Sequence, residues 1–217
     1  MIALIDYGAG NLTSVRKALT ALGADFTVPS TVDACRDASG IIVPGVGHFA
    51  ATAALEDEWL DAIGSAVASG VPLLGICLGM QWLFDGSDEA PEVRGLGVIP
   101  GRITRLQNDP SRRLKVPHVG WNALEFQPPN GGQARLFQGL SSGAQVYFTH
   151  SYAAPVTGEC VAATVHANTF SSVVERDNIF GVQFHPEKSG DAGLQILRNF
   201  LRACGPPSPT ASAGQRC

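Results

Sequence analysis

Up to residue 84, short continuous apolar runs alternate with stripes of helical period; beyond it, short strands separated by Pro, Gly and Asn take over. Ile2 to Ile5 is a β-type run, followed by a glycine-rich turn and by Leu12, Val15, Leu19 and Leu22 on one helical face. Ala24 to Val28 and Gly40 to Val43 read as the next strands, and Trp59 to Ala68 as an amphipathic helix. Val71 to Leu74 opens a strand that delivers Cys77, after which helical spacing resumes from Leu78 to Phe84. This alternation predicts a parallel sheet covered on both faces, with reactive residues at the carboxyl ends of its strands.

Asp85 to Glu92 is acidic and reads as a loop. Val98–Leu106, His118–Phe126, Gln145–Tyr152, Cys160–Val165 and Ser171–Glu175 then read as short strands that extend the sheet in mixed fashion. Phe180 to Phe184 is a last strand leading into His185-Pro186-Glu187, and Leu194, Leu197, Phe200 and Leu201 mark a closing helix. The fold class expected is α/β: a mixed, mainly parallel open sheet with helices on both faces. One domain spans residues 1–204, and 205–217, rich in Pro, Ser and Ala, is a mobile tail. The uncharged stretch from Ala62 to Phe84 is long enough to cross a bilayer, but its proline, four glycines and Gln81 read as helix end, strand and turn instead.

Charge and cysteine usage narrow the function. A net charge of −4 gives no electrostatic footprint for nucleic acid or an anionic membrane. Five scattered cysteines without a CxxC pair argue against a disulfide framework and a zinc site, and with no signal peptide at the start a cytoplasmic protein is expected. Gly8-x-Gly10 lacks the third glycine of a dinucleotide loop, since Thr13 stands there. No cofactor or metal is expected.

The candidate chemistry centres on Gly75-Ile76-Cys77-Leu78-Gly79, where flanking glycines permit a sharp strand-to-helix turn that exposes a nucleophile. A cysteine there meets the positive end of a helix, which favours the thiolate. Taken alone, a cysteine after an apolar strand reads first as core. His185 and Glu187, two apart around a proline, have the residue types of a base and its orienter. The turn Pro44-Gly45-Val46-Gly47 offers backbone N–H groups to a developing oxyanion. His48, His118, His150 and His166 are scattered and read as structural or surface residues.

Cys77 in its glycine turn, with Gln81 and His185-Pro186-Glu187, resembles the class I glutamine amidotransferases. Asp6-Tyr7-Gly8-Ala9-Gly10-Asn11-Leu12, Pro117-His118-Val119-Gly120-Trp121-Asn122 and the continuation Lys188-Ser189-Gly190 are similar to the glutaminase subunits of imidazole glycerol phosphate synthases within that family. The resemblance implies a flavodoxin-like glutaminase fold with Cys77, His185 and Glu187 as a triad. It implies an oxyanion hole from Leu78 with Val46 and Gly47, and glutamine contacts from Gly45, Gln81, Glu89 and the backbone around Ser151. A whole glutaminase domain consumes residues 1–204, so the ammonia acceptor is expected on another polypeptide. By resemblance this is a cyclase subunit of (β/α)8 barrel fold, docked through Asn11, Trp121, Asn122 and Lys188 in a heterodimer. The alternatives are the glutaminase subunit of another amidotransferase and a stand-alone cysteine hydrolase on the same fold.

Overall fold

A computed structural model describes residues 1–10, 12–127 and 134–205. Asn11 and the tail beyond Gly205 therefore lie outside the described residues. In chain order the first half comprises β1 (Ile2–Leu4), α1 (Leu12–Ala21), β2 (Phe26–Thr27), β3 (Gly40–Gly45), α2 (Glu58–Ala68), β4 (Leu73–Cys77) and α3 (Leu78–Trp82). It is followed by β5 (Gly86–Ser87), β6 (Ala90–Arg94), β7 (Arg102–Arg105), β8 (His118–Phe126), β9 (Ala144–His150) and β10 (Tyr152–Ala153). The chain closes with β11 (Cys160–His166), β12 (Asn168–Arg176), β13 (Ile179–Val182) and α4 (Gly190–Ala203).

Nine strands form one sheet in the order β2-β1-β3-β4-β13-β12-β11-β8-β9. The block from β2 to β13 is parallel, and β12, β11, β8 and β9 continue it antiparallel. Alternation along the buried strands explains why both faces are covered. On β3, Ile42 joins the core under α1 and α4, with Val15, Leu19, Leu197 and Phe200. Its neighbours Ile41 and Val43 join the opposite core, with Ile63 of α2 and Trp82 of α3. A strand buried on both sides is a continuous apolar run, as Ile41-Ile42-Val43 is.

Three expectations are corrected. The acidic stretch 85–92 is no simple loop: β5 and β6 lie there and pair antiparallel. With β7 and β10 they make a separate four-stranded sheet, so residues 98–106 do not extend the main sheet. The strands are only two to five residues long, too short for alternation to show. The helix after the cysteine is also shorter than its apolar spacing suggested, ending at Trp82.

Candidate active site

The site forms where three parallel strands end together. Register places Gly45 of β3 opposite Cys77 of β4, while Val182 of β13 lies opposite Ile76. The three chains thus reach the carboxyl edge side by side. Cys77 turns there with φ 54° and ψ −106°, a backbone state that costs a non-glycine residue on the order of 1–3 kcal/mol. The neighbouring glycine makes the turn possible: a Cβ on Gly79 would overlap the Val43 carbonyl oxygen of the adjacent strand. Leu78 is the first residue of α3, where an N–H has no acceptor within its own helix.

Cys77 is 5% exposed and lies on the wall of an open cavity of about 200 Å³. Leu78, Gly47, Gln81, Glu89 and Ser151 share that cavity, so the structure brings together six of the residues singled out from sequence. It is smaller than the roughly 300–1,000 Å³ of most ligand pockets, a size suited to one small metabolite. Glu89 is anchored by accepting the Phe49 N–H at 2.8 Å, at the start of the short helix Phe49–Leu55. Gln81 is buried, and its Nε2 donates to the Tyr152 carbonyl at 2.9 Å.

His185 approaches Cys77 from behind, lining a second, narrow crevice with Gly45, Val46, Glu187 and Lys188. Its Nδ1 is 2.9 Å from Glu187 Oε1, and the two side chains are 2% and 4% exposed. The backbone around the proline explains the pairing. His185 is extended at φ −99° and ψ 96°, but Pro186–Lys188 forms a short turn with the proline at its start, and that turn swings the carboxylate back onto the ring.

Burial, the largest single influence on His185, lowers its pKa. Hydrogen bonding to Cys77 and Glu187 and the negative charges of both together outweigh burial and bring it to about 10. The ring is therefore an imidazolium at neutral pH. With Nδ1 held by Glu187, Nε2 is the ring nitrogen left to face the Cys77 sulfur.

Three expectations for the site need correcting. The Val46 N–H donates to the Ala9 carbonyl at 3.2 Å, so in this conformation it is not a free oxyanion donor. Gly45 is buried beside the Tyr7 hydroxyl and does not line the cavity of about 200 Å³ that holds Cys77. His118, His150 and His166 are not scattered: His118 and His150 are register partners on β8 and β9, and the His166 ring stacks on His118 with centroids 4.1 Å apart. Of the docking residues, Trp121 is 57% exposed and Lys188 is exposed, while Asn122 is half-buried with its amide donating to the Val165 carbonyl at 3.1 Å.

Two further residues were missed from sequence. Gln183, fully buried, donates from Nε2 to Cys77 Sγ at 3.7 Å. It stands two before His185, but β13 ends at Val182 and the chain bends at 183–184, so no strand alternation ties the two together in the sequence. Tyr7 has a buried hydroxyl without a hydrogen-bond partner, and its pKa is raised by burial first and the Cys77 charge second. No sequence signal marks it as near the sulfur.

The family model described as Glutamine amidotransferase class-I matches residues 3–204. The imidazole glycerol phosphate synthase subunit HisH of Gloeobacter violaceus is 46% identical, the match covering 100% of this chain and 95% of that one. The subunit of the same name from Moorella thermoacetica is 47% identical over 92% of this chain and 93% of its own. Among solved structures, PurLQS from Thermotoga maritima aligns with a TM-score of 0.66 at 19% identity over 93% of this chain and 97% of its own. A glutamine amidotransferase crystal structure aligns with a TM-score of 0.70 at 20% identity, covering 94% and 99%. The chain belongs to the class-I glutamine amidotransferase family.

Proposed function

We propose that this chain is the glutaminase subunit of an imidazole glycerol phosphate synthase, with Cys77, His185 and Glu187 as its catalytic triad. In this reading the Cys77 thiolate attacks the side-chain carboxamide carbon of glutamine. As the C–S bond forms, the carbonyl oxygen becomes an oxyanion held by the Leu78 N–H. His185, already protonated, gives its Nε2 proton to the leaving nitrogen; the C–N bond breaks and ammonia departs, leaving a glutamyl thioester. The neutral imidazole then removes a proton from water as the water oxygen bonds to the thioester carbon; the C–S bond breaks, Cys77 returns to the thiolate and His185 to the imidazolium, and glutamate leaves. Glu187 holds Nδ1–H throughout, so that Nε2 is always the nitrogen facing the sulfur.

Val46 donating to Ala9 supports a resting state in which the second oxyanion donor is withheld. Removing one such donor typically costs about 2.7–4 kcal/mol of barrier, so a turn of the Gly45–Gly47 segment would govern turnover. The partner proposed is a cyclase subunit of (β/α)8 barrel fold, docked over the face that carries Trp121 and Lys188. Direct transfer has a chemical reason, because ammonia released to bulk water is protonated and loses its nucleophilic lone pair.

The observation that carries the reading is the convergence of a cysteine in a strained turn with a buried imidazolium–carboxylate pair, in a chain 46% identical to a subunit of that name. The test is glutamate release by the purified chain with and without the cyclase subunit. Strong stimulation by the cyclase agrees with it; equally fast release by the isolated chain would favour a stand-alone hydrolase.

A further inference from the structure

Gln183 emerges from β13 fully buried beside the sulfur, and its Oε1 accepts from Gln81 Nε2 at 3.2 Å. The two ends of a carboxamide have the same shape, so which end faces Cys77 follows from neighbours that can only donate or only accept. The Tyr152 carbonyl settles it. A carbonyl oxygen only accepts, so the Gln81 atom 2.9 Å away is its amide nitrogen. That nitrogen also faces Gln183 and requires an oxygen there, which leaves Gln183 with its N–H groups toward Cys77 Sγ.

The same carbonyl orders the imidazoles. His150 Nδ1 lies 2.9 Å from Tyr152 O and must carry a proton. Burial, ahead of its other influences, lowers the His150 pKa to about 4, so the ring is neutral and its Nε2 accepts from His118 Nδ1 at 3.0 Å. His118, likewise neutral, accepts at Nε2 from Asn122 Nδ2 at 3.3 Å. Asn122 is pinned in turn, its Oδ1 accepting the Ala123 N–H at 2.8 Å. One direction of donation thus runs from β8 to the Tyr152 carbonyl, and a second runs from Gln81 through Gln183 to the sulfur. Reversing Gln183 would set like groups face to face in a buried place, where an unmet polar group is costly.

We propose that Gln183 is a positioning residue of the glutaminase reaction, its amide N–H fixed in direction by Gln81 and Tyr152 so that it holds the Cys77 sulfur in line and stabilises its anion between turnovers. The proposal rests on Cys77 being the nucleophile. The sulfur gives up its charge when the C–S bond forms and regains it when the thioester is hydrolysed. A donor fixed beside it favours that return without moving.

Gln183→Met keeps the length of the side chain and removes the donor; Gln183→Glu keeps the shape and puts an acceptor against the sulfur. In the synthase reconstituted with its cyclase subunit, Gln183→Met is expected to lower kcat for glutamine about tenfold, the worth of one hydrogen bond to a charged group, with KM within about twofold. Gln183→Glu should lower it further. Alkylation of Cys77 by iodoacetamide, followed across pH, should rise at a higher pH in Gln183→Met than in the unsubstituted protein, because the sulfur has lost a donor to its anion. A packing defect alone would change the alkylation rate at every pH and leave the pH at which it rises unmoved. In the unsubstituted protein, the Gln183 side-chain amide resonance should move when Cys77 is alkylated, which tests the contact without any variant. A kcat within twofold of wild type with unchanged alkylation, or a stationary amide resonance, would overturn the role of Gln183. Glutamine hydrolysis that survives Cys77→Ser would instead overturn the nucleophile assignment beneath it.

Discussion

His185 and Glu187 form a closed pair, Nδ1 to Oε1 at 2.9 Å, with almost none of either side chain reaching solvent. The pairing decides which ring nitrogen is left for chemistry, and together with the Cys77 sulfur it keeps the ring protonated against a burial that would otherwise discharge it. Glu187→Gln keeps the shape and removes the charge. The variant should lose about 10²–10⁴-fold in kcat, the range of a general acid–base contribution. By NMR, the His185 ring should titrate well below the value of about 10 that it holds in the intact pair. An unchanged ring titration would show that the carboxylate is not what holds the proton.

Stability should peak near pH 6.5 because the histidines pull in opposite directions. The folded pKa of His185, about 10, lies above the unfolded value of about 6.5, so its contribution is complete below pH 6.5 and is lost as pH rises toward 10. His118 and His150 are held at about 3 and about 4, by burial first, so theirs is present above pH 6.5 and is lost as pH falls toward those values. Urea midpoints measured from pH 4 to pH 10 should fall on both sides. His185→Asn should flatten the alkaline limb and leave the acid limb in place.

The turn at Cys77 depends on close approach of α3 to β3. Gly79→Ala would force a methyl group into the Val43 carbonyl, which is backbone and has nowhere to move. A loss of about 1–3 kcal/mol is expected, as for overpacking in a core. Chemical denaturation measures it, and a stability equal to wild type would mean that α3 is free to shift.

Trp121 stands 57% exposed on β8, a large aromatic whose ring meets Tyr147 edge-on. If it anchors the cyclase subunit, Trp121→Ala should weaken the complex by about 2 kcal/mol or more, as truncated interface anchors do. The stability of the isolated chain should stay within about 0.5 kcal/mol. Calorimetric titration of the two subunits separates these outcomes.

The sequence was most legible where one residue type has one physical meaning. The glycines around Cys77 predicted a sharp turn, and the continuous run Ile41-Ile42-Val43 predicted a strand buried on both faces. What was not legible depends on pairing between distant strands. β5 and β10 are two residues long, so no alternation announces the small sheet. His118 and His150 are 32 residues apart, and only their register on neighbouring strands makes them a hydrogen-bonded pair. The Val46 amide could not be assigned from sequence either, since its acceptor lies on the loop that carries Ala9. Backbone N–H groups are identical at every position, and only coordinates say where each one points.

The division of labour between the two subunits is the central claim, and Cys77→Ser tests it most directly. Imidazole glycerol phosphate formation by the reconstituted synthase is measured twice, once with glutamine and once with added ammonium salts. Synthesis from glutamine should disappear while synthesis from ammonium stays near the wild-type rate. Synthesis that persists with glutamine, or that is lost from both nitrogen sources, would contradict the account.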